Sequence, residues 1–312
     1  MDQPAATVLI TTKDRADELP RAIDSVARQT APVQLVVVDD GSSDHTSELV
    51  RERYPWAELA RNESALGIIE ARNKAASLAK TNILFTLDDD AEFSTPDVVA
   101  DTLALFDHPR VAAVTIPLVN HIEGREERFD EFPEAARTGE LWCSFAFKGG
   151  ANAMRLDVFR EMDGYRGFMF RQGEESDYCI RLLDRGYVVR AGTADPVDHY
   201  PSPRRDSPQV YRYTGRNNLL FAWYNVPMPH LLKHWAGGVV NLLRAGVRRR
   251  RPVSVAVGIA WGLWTSLTRP GVRKPVSTRA YQLSRTLIAG ARPLSQIENR
   301  LPEPTGQESP AG

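Results

Sequence analysis

The sequence predicts an α/β protein: a doubly wound, mostly parallel sheet flanked by helices, followed by a C-terminal helical extension. Two observations carry this prediction. Short apolar runs alternate with amphipathic helical stretches through residue 116, the pattern of right-handed βαβ units. Two of those runs end in carboxylates, Asp39-Asp40 and Asp88-Asp89-Asp90, and the C-terminal ends of buried strands open onto the ligand crevice of such a sheet.

Residues 7–12 read as the first strand. Leu19, Ile23 and Val26 recur at helical spacing within 17–29, with Ala22 and Ala27 beside them. A second strand, 33–38, runs into Asp39-Asp40-Gly41; Ser43 or Asp44 can cap the next helix, which turns Leu49 and Val50 inward. A helix over 67–80 faces Ala71, Ala75 and Leu78 to the core. A strand at 83–87, a helix near 96–107 and a strand at 111–116 follow. From 117 to 148 polar residues dominate, predicting an excursion with antiparallel pieces. Helical periodicity returns at 153–162 and 176–185. After Pro227 come amphipathic helices separated by a basic run, and the polar tail from Leu301 predicts disorder.

The bulk numbers are those of an ordinary globular chain: 312 residues, 42% apolar, 25% charged, formal net charge -1. That balance gives no global drive toward nucleic acid. Two cysteines, Cys143 and Cys179, allow no disulfide framework, which points to a reducing cytoplasm. Met-Asp-Gln-Pro lacks the basic and apolar regions of a signal peptide. The longest near-apolar run, Val253 to Leu267, has 15 residues, short of the roughly 20 that span a bilayer. The Arg248–Arg251 run beside Trp261 and Trp264 reads either as a solvated helix end or as a face resting on the inner membrane surface.

Three acids at the end of a buried strand repel one another and lose hydration, unless a divalent cation sits among them. Oxygen ligands in that number suit Mg²⁺ or Mn²⁺ better than zinc. Asp39 through Asp44 reads as a turn near a base or ribose, or as a capped strand-to-helix turn. No GxGxxG follows the first strand and no GxxxxGK[ST] loop occurs, which counts against dinucleotide-binding oxidoreductases and P-loop NTPases. Glu174-Glu175-Ser176-Asp177 opens a helix, where dipole and general-base readings both apply. The preceding Gly164–Phe170 stretch suits a flexible ligand wall. His199 can complete a cation's shell or be structural. Arg212, Arg216, Asn217 and Asn218 can face a diphosphate or solvent.

Taken in order, these motifs resemble the inverting family 2 glycosyltransferases of GT-A fold, over roughly residues 6–225. The matching stretches are Val8 to Arg15, Val36 to Ser42, Asn62 to Gly67 leading to Ala71-Arg72-Asn73, Leu87 to Asp90, and Gly149 to Asn152. Gly164-Tyr165, Gly173 to Asp177, Arg181, Gly186-Tyr187 and His199 complete the series. The resemblance implies a catalytic domain over 1–225, with a nucleotide-sugar half to about residue 115 and an acceptor half after it. The helical extension then covers 226–300 and the tail 301–312.

It further implies a nucleotide-diphospho-sugar donor, an acceptor hydroxyl, and Mn²⁺ or Mg²⁺. Thr12, Arg15, Asp40, Arg72, Asp88 and Asp89 would bind the donor, and Asp90 with His199 the metal. Gly150, Asn152 and Glu174 would line the acceptor side. The family's base motif often reads Glu-Asp or Asp-Asp; here the pair is Glu174-Glu175. Glu175 is the favoured base, with Asp177 and Glu174 as alternates. The acceptor is a glycan, a lipid-linked or a small molecule. Residues 230–270 serve peripheral membrane contact, dimerisation or packing. Two other readings are a sugar-phosphate nucleotidyltransferase and a non-catalytic sugar- or partner-binding module. The first lacks its glycine-rich N-terminal loop, and the set Asp88, Asp90, Glu175 and His199 opposes the second.

Overall fold

The computed structural model describes residues 3–122, 125–202, 207–268 and 273–304. Its first half is strand-helix alternation: β1 (Ala6–Thr12), α1 (Leu19–Ala27), β2 (Val33–Asp39), α2 (Thr46–Arg53), β3 (Glu58–Arg61), α3 (Ile68–Leu78) and β4 (Ile83–Asp88). β1 is buried along its whole length, as expected of a strand covered on both faces. Asp44 rather than Ser43 serves α2: its carboxylate accepts from the Thr46 amide at 3.0 Å, whereas the Ser43 amide goes to Asp14 at 2.7 Å.

The middle is mixed: β5 (Ala91–Phe93), α4 (Val98–Ala104), β6 (Val111–Thr115), β7 (Leu118–Ile122), β8 (Arg125–Phe129), α5 (Pro133–Thr138), β9 (Trp142–Ser144), β10 (Ala151–Arg155) and α6 (Leu156–Glu161). α7 (Glu174–Asp184), β11 (Val188–Arg190) and β12 (Val197–His199) follow, then α8 (Pro208–Asn225), α9 (Met228–Arg248), α10 (Pro252–Thr268), α11 (Thr278–Ile288), β13 (Arg292–Pro293) and α12 (Leu294–Ile297).

The main sheet runs β13-β9-β11-β6-β10-β4-β1-β2-β3, and a smaller one β5-β12-β7-β8. The β4-β1-β2-β3 half is parallel throughout. β10 lies antiparallel between β4 and β6. Residues 153–155, expected to begin a helix, are the end of that strand. The helical period starts only at Leu156, because pairing with two distant strands overrides the local pattern. Arg212, Arg216, Asn217 and Asn218 lie within α8.

The C-terminal segment is not a separate appendage. Leu283, Leu287, Leu294 and Ile297 share one core with Val111, Ile180 and Val188, and β13 extends the main sheet beside β9. The expectation of disorder from Leu301 is corrected over its first four residues. Leu301 is buried, and the Arg110 guanidinium donates to Pro302 O at 2.7 Å and pairs with Glu303. Residues 305–312 lie outside the described residues.

Candidate active site

Register brings the acids to one sheet edge. Thr12 pairs with Asp39 across β1 and β2, and Thr11 with Asp88 across β1 and β4. In the small sheet His199 stands opposite Ala91 and Asn120. The Tyr200 amide donates to Asp90 O at 2.8 Å, which ties the end of β12 to the acidic turn. A cleft of about 690 Å³ opens there, lined by Thr12, Arg15, Asp40, Arg72, Asp88, Asp89, Gly150, Glu174, Glu175 and His199.

Asp88, Asp90 and His199 each offer a ligand atom, all within 4.8 Å of one another. Asn120 Oδ1 lies 2.6 Å from His199 Nδ1. With the amide oxygen on that side the ring proton sits on Nδ1. Nε2 then presents a lone pair to Asp90 Oδ1, 3.1 Å away. In that tautomer both atoms are acceptors, a pairing that a cation between them would satisfy; on a protonated ring the same contact is an ion pair. Two carboxylates and an imidazole nitrogen form a donor set that fits Mn²⁺ or Mg²⁺. Burial, then the adjacent charge of Asp90, pushes the Asp89 carboxyl up to about 7, with Arg15 opposing.

On the opposite wall α7 starts at Gly173, whose φ of +90° turns the chain into the helix. Arg72, buried on α3, donates to Glu174 Oε1 and to Asp88 Oδ1, both at 2.9 Å. Burial, then the charge of Glu175, raises the proton affinity of Glu174 despite that ion pair. Glu175 is half-buried on the cleft wall, and its carboxylate is in no ion pair among the described residues. Two glycines make room for this group. A Cβ on Gly149 would stand 2.5 Å from Arg72 Nη1 and 2.7 Å from Glu175 Oε1, and one on Gly150 2.3 Å from Asp88 Cγ.

Comparison with known proteins decides the family. The description "Glycosyl transferase family 2" matches residues 7–171, more than half of the chain. The chain belongs to glycosyl transferase family 2. It is 26% identical over 207 residues to the succinoglycan biosynthesis protein ExoU of Rhizobium meliloti, covering 57% of each chain. It thus spans little more than half of that relative's length. Among solved structures it is similar to the Pyrobaculum calidifontis mannosyltransferase PcManGT in complex with GDP-Man and Mn²⁺ (TM-score 0.54, 18% identity, 92% of this chain and 80% of that one). It is also similar to GalNAc-T7 with UDP, GalNAc and Mn²⁺ (TM-score 0.54, 18% identity, 86% and 58%). The fold is that of the GT-A glycosyltransferases.

Within this family 2 chain several sequence expectations are corrected. Asp177, an alternate base, is fully buried away from the cleft, paired with Arg166 at 2.7 Å and Arg181 at 3.0 Å. A carboxylate held by two guanidiniums cannot reach an acceptor. Asn152, expected on the acceptor side, is buried, and its amide donates to Lys148 O at 2.8 Å and Gly149 O at 3.1 Å. It shapes the glycine turn instead. Arg216 and Asn217 face neither diphosphate nor solvent. They donate to Phe168 O and to the carbonyls of Met169, Arg171 and Gln172, bracing the loop whose Phe170, Arg171 and Gln172 line the cleft.

Asp40 reaches the cleft, but its oxygens already accept from Asn62 Nδ2 and from the Leu66 and Gly67 amides at 2.8–2.9 Å. It therefore orders the 62–67 loop. Sequence reasoning missed Asn120, Lys148 and Arg171. The last two add positive charge to a cleft that already holds Lys13 and Arg15. No local signal marks Asn120; its role comes from strand pairing alone. Arg171 could have been found as the cation two residues before Gly173, the glycine that opens α7.

Proposed function

We propose that this chain moves a sugar from a nucleotide-diphospho-sugar to an acceptor hydroxyl by metal-assisted single displacement, with inversion at the anomeric carbon. The observation that carries the reading is the convergence of Asp88, Asp90 and His199 with Glu175 in one cleft, across a bridging Arg72. PcManGT and GalNAc-T7 were solved with nucleotide or nucleotide-sugar and Mn²⁺, which supports a donor of that class here.

In this reading Thr12, Arg15, Asp40 and Asp89 line the nucleoside end of the donor. The Thr12 hydroxyl is buried on the cleft wall beside Asp89, within reach of a bound ligand. Lys13, Arg15, Lys148 and Arg171 set positive charge along the diphosphate. Asp90 and His199 would hold Mn²⁺ or Mg²⁺, joined by Asp88. Such a cation stabilises negative charge developing on the leaving diphosphate. Asn120 keeps the proton on Nδ1 of His199, so that Nε2 faces the metal position.

Glu175 is the general base. It takes the proton of the acceptor hydroxyl as that oxygen attacks the anomeric carbon. The bond to the diphosphate oxygen breaks on the opposite face, and its electron pair leaves with the diphosphate. Positioned proton transfer contributes roughly 10²–10⁴-fold to such steps. Glu174 is tied to Arg72 and supports the base rather than replacing it. Gly150 lets the Asp88 carboxylate lie against the β10 turn.

The test is nucleoside diphosphate release from UDP-, GDP- and dTDP-sugars, with and without EDTA. Release from one of these donors that stops on chelation and returns with Mn²⁺ supports the reading. Metal-independent release, or none from any donor together with no donor binding, overturns it.

A further inference from the structure

α10 is built inside out. Its buried face carries Val255, Gly258, Ile259, Gly262, Thr265 and Ser266. Val253, Val257, Trp261, Trp264 and Leu267 are exposed, Trp264 at 68% and Leu267 at 69%. They recur every three or four residues and so form one apolar stripe. The small inner residues admit α8: a Cβ on Gly258 would stand 2.2 Å from Arg212 O, and one on Gly262 2.8 Å from Arg216 O. The inner face is therefore satisfied by the fold; in the outer stripe Trp261 packs on Tyr213 and Arg216, while Val253, Val257, Trp264 and Leu267 remain exposed. A contiguous exposed stripe of this kind marks an interaction surface.

Charge identifies what covers it. From Ser207 to Ile297 the sequence has 14 Lys and Arg and no Asp or Glu, in a chain of net charge -1. Arg248, Arg249 and Arg250 are exposed at the turn between α9 and α10, where the stripe begins. Bulky apolar residues and tryptophans behind an arginine collar complement anionic headgroups over acyl chains. A second copy of the same face offers these arginines no carboxylate, because residues 207–297 hold no Asp or Glu. Among the described residues no helix is long and apolar enough to cross a membrane. The 17 residues of α10 are held along one side by α8, so this helix lies along a surface.

We propose that α10, with the arginine turn before it, docks the chain onto an anionic lipid bilayer surface. The proposal stands on residues outside the cleft and does not depend on the chemistry assigned there. It has a geometric consequence for the cleft. The Trp261 ring is 5.3 Å from Tyr213, and Tyr213 stacks at 5.3 Å on Phe170, a cleft-lining residue. A docked chain thus keeps its cleft wall two ring contacts from the lipid.

The test is co-sedimentation of the full chain with phosphatidylcholine vesicles, and with the same vesicles containing about one-third phosphatidylglycerol. Binding to the anionic vesicles at least about tenfold tighter than to neutral ones, and weakened by salt, is the expected result. Trp264→Ser with Leu267→Ser, and separately Arg248→Gln with Arg249→Gln and Arg250→Gln, should each abolish most of it. All five side chains are exposed, and circular dichroism melting reports whether each variant is folded. No sedimentation, equal binding to both vesicle types, or binding untouched by either set overturns the proposal. A solution dimer that the Trp264 and Leu267 variant dissociates also overturns it, by assigning the stripe to a second copy. Donor binding measured by calorimetry without vesicles reports on the cleft separately, so the two readings fail independently.

Discussion

Arg72 on α3 and Glu174 at the start of α7, 102 positions apart in the chain, meet in a 2.9 Å hydrogen-bonded ion pair. The same guanidinium reaches Asp88 at 2.9 Å. One buried cation therefore sets the spacing between the strand-end acids and the acids that open α7.

Replacing that cation leaves two acids uncompensated, one fully buried. Arg72→Met should lower unfolding stability by roughly 3–5 kcal/mol, read as a fall in the urea midpoint. Arg72→Lys should recover only part, because an ammonium lacks the fork that reaches both carboxylates. An unchanged midpoint in Arg72→Met would show that the pair does not hold the two walls together.

Glu175→Gln should reduce turnover by about 10²–10⁴-fold while calorimetry finds donor affinity unchanged, since the substitution keeps shape and removes only the proton acceptor. Normal turnover in that variant would pass the base role to Glu174, whose carboxylate also lines the cleft.

Asn120 tests the metal assignment without touching a ligand. Losing its contact with His199 Nδ1 frees the ring, so Asn120→Leu should weaken Mn²⁺ binding by about 10–100-fold. Asp90→Asn should abolish metal-dependent donor binding. Manganese titrations that leave both variants at the parental affinity would remove Asp90 and His199 from the ligand set.

Gly150→Ala asks whether Asp88 must lie against the β10 turn. The added methyl would stand 2.3 Å from Asp88 Cγ, so the carboxylate has to move. A stability cost of roughly 1–3 kcal/mol is typical of such overpacking, and a far larger proportional loss of sugar transfer is expected. Full activity in this variant would show that Asp88 works from another position.

Part of the site is legible in the sequence alone. An apolar strand running into Asp88-Asp89-Asp90 already implied a carboxylate cluster at a sheet edge, and His199 does join it. The acids at 174–177 were legible as a helix start but not in their division of labour. Helical geometry held part of that answer. Glu174 and Asp177 stand three positions apart and share a face, and Glu175 is turned from Glu174 by about 100°. That geometry does not say which face is buried; here it is the face toward Arg72, Arg166 and Asn225.

Local periodicity alone determined β1, β2, β4 and the helices between them, the positions of the strand-end acids and the helices beyond Pro227, but not the edge strand β3 (Glu58–Arg61). These features depend on neighbours within a few residues of the chain, so the chain itself records them. Only the tertiary structure decided that β10 runs antiparallel between β4 and β6, that Asn152 and Asp177 turn inward, that Asn120 backs His199, and that α10 presents its large side chains outward. Each of these outcomes rests on a partner far away in the chain. Burial and strand register are set by which surfaces meet, and one segment read by itself contains no record of the surface that will cover it.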